Sequence, residues 1–183
     1  NERHLRHSRG VVSKMSQTQV ERLFIKDKEK LLYETWRFTA TLATSNGNNF
    51  LTANLERADD SYTGHLNAGM TESSGVFTFP YTGVFRIGFW PYYYSNSQGS
   101  SVFLGSTIST TADNSSYVSL TEQYDSVTDS SYHGAVSSIV NFDVTNVSTH
   151  KVKFNCYTHN DCTVVGGSST NKTYMTFEYL GDT

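Results

Sequence analysis

The chain has 183 residues, of which 37% are hydrophobic, 14% aromatic and 17% charged, with a net charge of −3 and two cysteines. That length holds one ordinary domain with its own core plus an appendage, and is too short for two separate cores. Two cysteines argue against a disulfide-dense scaffold, and no apolar run approaches the ~20 residues of a membrane span, so membrane insertion is not expected.

Residues 1–35 read as a basic arm or linker. The first thirty residues hold eight Lys/Arg against four acids, a net of +4; with the whole chain at −3, residues 31–183 carry −7. Such asymmetry is the mark of an interaction tail, and Arg3, Arg6, Arg9 and Lys14 are its expected attachment residues, facing an acidic partner surface. Eight cations without interleaved aromatics are a weak signal for nucleic acid, which is not expected as a partner. The basic start lacks a following apolar run, so no signal peptide is visible, and a chain beginning with Asn1 is expected to be processed or truncated. Arg6-His7-Ser8-Arg9 has the form of a proprotein cleavage site, a match that arises readily in a basic arm. Val20, Leu23, Phe24, Leu31 and Leu32 fall near one helical face, interrupted by charges from Lys26 to Lys30; a short helical stalk or a linker is expected.

From Trp36 onward, over residues 36–183, the period becomes two. Trp36 to Leu42 alternates strictly, followed by a turn at Ser45-Asn46-Gly47-Asn48-Asn49. Val76 to Phe79 reads as a strand, and Val84 to Phe89 places Phe85, Ile87 and Phe89 on one face. Further strands are expected at Val102 to Leu104, Tyr117 to Leu120, Ala135 to Val144, Val152 to Tyr157 and Thr173 to Leu180, with Phe142 offered to the core. Residues 106–134, rich in Ser, Thr, Asp and Tyr, are expected as long exposed loops or edge strands. Eight to ten short strands without an interrupting amphipathic helix predict an all-β sandwich or barrel.

The segment Phe77-Thr78-Phe79-Pro80-Tyr81-Thr82-Gly83-Val84-Phe85-Arg86-Ile87-Gly88-Phe89 resembles the signature of C1q domains. Phe77, Gly83 and Phe89 match it directly, while Phe85 stands for a Tyr and Ile87 for a Phe. Trp36 to Ala40 is similar to the opening of such domains, and Thr173 to Leu180 to their last strand. The upstream half of the signature has no counterpart around Asp60 to Met70. The resemblance implies a ten-stranded C1q/TNF-like jelly roll, a sandwich core of Phe77, Gly83, Phe85, Ile87, Phe89 and Phe142, and a homotrimer. Related modules serve as secreted recognition proteins in animals and as decorations, fibres and tail parts of bacteriophage particles. No collagen-type Gly-X-Y stalk is present, and the Ser/Thr/Asn/Tyr-rich body favours the virion setting, with other virion proteins as partners of the arm. The alternative is a secreted, extracellular ligand or glycan-recognition protein, to which the sequons at Asn114, Asn146 and Asn171 speak.

Trp90, Tyr92, Tyr93 and Tyr94, with Phe177 and Tyr179, are the candidate trimer or receptor contacts. Two readings of the Trp90 to Tyr94 run stand: a trimer interface, or a platform for a receptor or a cell-surface glycan. Cys156 and Cys162 flank an expected hairpin, and free thiols are preferred to a disulfide. Neither they nor the loop acids, including Asp59, Asp60, Asp113, Asp125 and Asp129, follow a metal-site spacing, and no metal or other cofactor is expected. No nucleophile elbow, phosphate loop, H-E-x-x-H or C-x-x-C occurs, so the chain is not read as an enzyme.

Overall fold

The computed structural model describes residues 16, 30–61, 63–67, 69–95, 102–127, 132–159 and 162–183. The arm residues Arg3, Arg6, Arg9 and Lys14, and the expected stalk up to residue 29, lie outside the described residues. Fifteen strands are described, more than the sequence predicts, because the Trp36 to Leu42 run is divided and short strands such as Gly47–Phe50, Leu55–Arg57 and Thr71–Ser73 are added. In chain order they are β1 Tyr33–Phe38, β2 Thr41–Thr44, β3 Gly47–Phe50, β4 Leu55–Arg57, β5 Thr71–Ser73, β6 Val76–Thr78, β7 Gly83–Trp90, β8 Tyr92–Ser95, β9 Val102–Thr111, β10 Val118–Val127, β11 His133–Ala135, β12 Ser138–Val144, β13 Lys151–His159, β14 Cys162–Val165 and β15 Tyr174–Gly181.

They form a five-stranded sheet in the order β12-β7-β15-β1-β4, a six-stranded one in the order β10-β9-β13-β6-β5 with β3 also on β13, and a four-stranded one in the order β11-β8-β14-β2. All named pairings are antiparallel, so alternate side chains point to opposite faces.

The interior follows that alternation. Phe85, Ile87 and Phe89 of β7 stand beside Met175 and Phe177 of β15 and Trp36 of β1, facing Phe77, Ile108, Val152 and Phe154 from the six-stranded sheet. Phe77 joins the two layers, with its ring 5.2 Å from Trp36, 5.4 Å from Phe154 and 5.1 Å from Phe177. Phe142 is half-buried at the margin, packed on Phe79 and beside His150. Gly83 opens β7 with φ +136°, and a Cβ there would lie 2.5 Å from the Tyr179 ring. Glycine is therefore required by both the backbone and the packing.

Several expectations are corrected. The compact body begins at Leu31 and its first strand at Tyr33, so the boundary lies upstream of residue 36. The Trp36 to Leu42 run is divided between β1 and β2, which belong to different sheets. The 106–134 region is only partly exposed: Ser106, Thr107, Ser109, Thr110 and Thr111 are buried in β9. That strand is hydrogen-bonded on both sides, to β10 and β13, which satisfies its backbone and shelters its small polar side chains. By contrast, β10 is an exposed edge strand.

Candidate functional site

The alternation of β7 continues through Pro91 into β8. Phe89 and Tyr93 point inward, while Trp90, Tyr92 and Tyr94 point outward. Tyr93 has no exposed surface, and its hydroxyl donates to the Gly105 carbonyl. Phe177 is equally enclosed. Both residues are thus removed from the contact set, because an interior side chain has no surface to offer another chain. Tyr179 is half-buried against Tyr81 and Phe85 and donates to the Asp182 carboxylate at 2.8 Å.

The outward residues meet different partners. Trp90 stacks on Tyr174 at 4.9 Å and 9°, leaning over Gly88, where a Cβ would strike the indole. Tyr92 stacks on His133 at 5.2 Å, and Tyr94 packs on its other side at 5.1 Å. Pro91 has no N–H to offer a ladder. The facing strand is interrupted at the same level: Ser138 pairs with Phe89 and Ala135 with Tyr92, leaving Val136 and Ser137 between them. A pocket of about 260 Å³ opens at this double break, lined by Trp90, Tyr92, Val136, Lys172 and Tyr174. The same outer face carries Tyr33 and Ile139, 44% and 56% exposed, and the Arg86–Glu178 ion pair at 3.1 Å.

The cysteines belong to the interior. Cys156 and Cys162 are free and buried, on strands of different sheets. Burial pushes the Cys156 thiol up to about 12 and that of Cys162 up to about 11. At neutral pH both are therefore protonated and poor nucleophiles. Tyr93, beside Cys156, is likewise raised by burial. Asp113 is held below the ordinary carboxylate range, first by the Thr111 hydroxyl and then by the Ser116 and Ser115 N–H groups, which accounts for it as a turn residue. Among the described residues, no group of three or more His, Cys, Asp and Glu could hold a metal ion. Among them, too, no helix is long and apolar enough to cross a membrane.

Two groupings escaped the sequence reading. Arg37, 3% exposed, is ion-paired with Glu56 at 2.7 Å, Asp60 at 3.0 Å and Asp59 at 3.3 Å, so the two loop acids neutralise a buried cation. The hydrogen bond to Glu56 raises the Arg37 guanidinium further. The other grouping is an aromatic trio, Phe103, Tyr124 and Tyr157, gathered from β9, β10 and β13. Its members are 54 residues apart at the extremes and gave no local signal; β-strand alternation around Phe103 and Tyr124 is the only hint that could have found them.

No protein-family model matches the chain, and no curated protein sequence matches it. Solved structures do. Murine APRIL at pH 8.0 superposes with a TM-score of 0.58, over 82% of this chain and 100% of its own, at 10% identity. The Eiger TNF of S. frugiperda gives 0.56, over 84% and 94%, at 12% identity. The fold is a C1q/TNF-like jelly roll. At these identities the likeness is one of architecture.

Proposed function

We propose that the chain is a non-enzymatic virion structural protein, a homotrimer that decorates a capsid or forms part of a fibre or tail, with residues 1–30 joining it to the particle. The observation that carries the trimer is the outer face of the five-stranded sheet. Tyr33 and Ile139 are exposed there beside the Trp90–Tyr174 stack, although the opposite face of the same sheet already forms the core. A sheet with apolar groups on both faces calls for a partner, and a second copy of the chain is the simplest one in a closed, symmetric assembly. The charge difference between arm and body supports attachment through the arm. The secreted-ligand reading is compatible with the same fold, which the chain shares with murine APRIL and the Eiger TNF of S. frugiperda.

Two measurements test the proposal. Sedimentation should return a mass near three times 20.5 kDa, and Ile139→Glu with Tyr33→Glu should shift it to that of a single chain. Deleting residues 1–30 should leave a trimer that no longer joins the particle; normal incorporation of the truncated chain would overturn attachment by the arm. Glycosylation of the natural protein at Asn114, Asn146 or Asn171 would favour the secreted ligand.

A further inference from the structure

The outer face of the six-stranded sheet holds the aromatic trio. Tyr124 of β10 and Tyr157 of β13 both pair with Gly105 of β9, so the three positions form one row across the sheet. A Cβ at Gly105 would come within 2.7 Å of each tyrosine. The two rings close over the glycine edge to face, with centroids 5.8 Å apart. Phe103, two residues earlier on β9, stacks on Tyr124 at 4.9 Å and meets Tyr157 edge-on at 6.1 Å. Phe103 and Tyr124 remain 42% and 44% exposed. An exposed ring platform of this kind marks a contact site.

The next row has two polar residues between Glu122 and the exposed Phe50. Thr107 and Asn155 are register partners and buried. The Asn155 amide donates to Asn48 Oδ1 at 2.7 Å, yet Asn155 Oδ1 and Thr107 Oγ1 have no partner among the described residues. Buried polar atoms are ordinarily satisfied, and a pair of exceptions in one row calls for an explanation. Glu122, Lys151 and Lys153 on this face are already engaged, and the exposed His159 stands beside Phe103; the Lys151 ammonium donates to the Val147 carbonyl at 2.9 Å. Glu122 accepts the Tyr124 hydroxyl at 2.9 Å, and the Lys153 ammonium lies 3.9 Å from the Tyr117 ring centre.

We infer that this face binds a neutral carbohydrate chain. A pyranose has an apolar C–H side that covers aromatic rings and a rim of hydroxyls that both donate and accept. On Phe103 and Tyr124 the first property is used; at the exposed Ser126 and His159, the register partners of Phe103 on either side, the second. Charge complementarity separates this ligand from a polyanion or a charged peptide, because Glu122, Lys151 and Lys153 are each occupied within the chain. The inference rests on the chain being a recognition and assembly module, and it uses the sheet that the proposed trimer contact leaves free.

The test is calorimetric titration of the full-length chain with cellohexaose, maltohexaose and chitohexaose, with hexagalacturonate as the charged control. At least one neutral hexasaccharide should bind with a Kd below about 1 mM. Phe103→Ala with Tyr124→Ala should weaken it at least about tenfold. Phe103→Leu, which keeps apolar volume but removes the ring, should weaken it about threefold and guards against misfolding of the double variant. Sedimentation of each variant separates this test from that of the trimer. Absence of neutral binding up to about 5 mM, preference for hexagalacturonate, or undiminished binding by the ring variants would overturn the inference.

Discussion

The centre of the sandwich and its end near Glu34 are both fully enclosed, and they are built from opposite materials. At the centre, Phe77 meets Trp36, Phe154 and Phe177 with no polar atom needed. Two residues before Trp36 on the same face of β1, Glu34 is equally inaccessible, yet it is a carboxylate. It accepts Arg57 Nε at 2.8 Å and the Met70 N–H, while Arg57 donates to the Met70 carbonyl at 2.9 Å and covers the Trp36 ring at 5.1 Å. The closeness of Gly69 makes this possible: a Cβ there would stand 2.4 Å from Glu34 Oε2. Dispersion and dehydration hold the first region without directional demands, whereas the second holds only while every hydrogen bond is made.

That contrast can be broken by mutation. Phe77→Ala should have the largest effect, about 4 kcal/mol of stability, because a cavity would open between two sheets that cannot both collapse into it. Denaturant unfolding would measure it. Glu34→Ala should cost about 2–3 kcal/mol, from the unpaired Met70 N–H and the loss of Arg57's partner. Glu34→Gln keeps an acceptor and should recover about half of that loss; equal losses for Ala and Gln would show that volume, rather than hydrogen bonding, governs the site.

The smallest effect near neutrality concerns a third buried region, around Cys156. Its folded thiol is raised from 9.0 to about 12, so the folded state keeps a proton that the unfolded state releases. This stabilisation is whole below pH about 9 and is lost as pH rises from there toward about 12. This thiol should therefore lower the unfolding free energy by about 1.4 kcal/mol between neutrality and pH 10, so the fall should be smaller in Cys156→Ala. An unchanged alkaline slope in that variant would assign the effect to Cys162, raised by burial to about 11, and to Tyr93, whose phenol is also raised.

The placement of β7 was legible in the sequence because one local rule governs it: Phe85, Ile87 and Phe89 alternate, and Gly83 precedes them where a side chain would meet Tyr179. Extending the same alternation through Pro91 places Tyr93 inside; treating Trp90 to Tyr94 as one aromatic surface hid this. The Ser/Thr-rich β9 was misread for another reason. Composition reports the polarity of side chains, while the position of β9 depends on backbone pairing with β10 and β13, which are distant in sequence.

By itself, then, the sequence determined the strand period and the turn into β7, since each rests on residues within one strand or its adjoining turn, and the resemblance of Phe77 to Phe89 to the C1q signature implied the jelly roll and its core. Tertiary structure alone decided that Arg37 would be buried against three acids, that Glu34 would be enclosed beside Gly69, and that Phe103, Tyr124 and Tyr157 would share one face. Those outcomes depend on which strands become neighbours, and strand register is a property of the whole sheet rather than of any one segment.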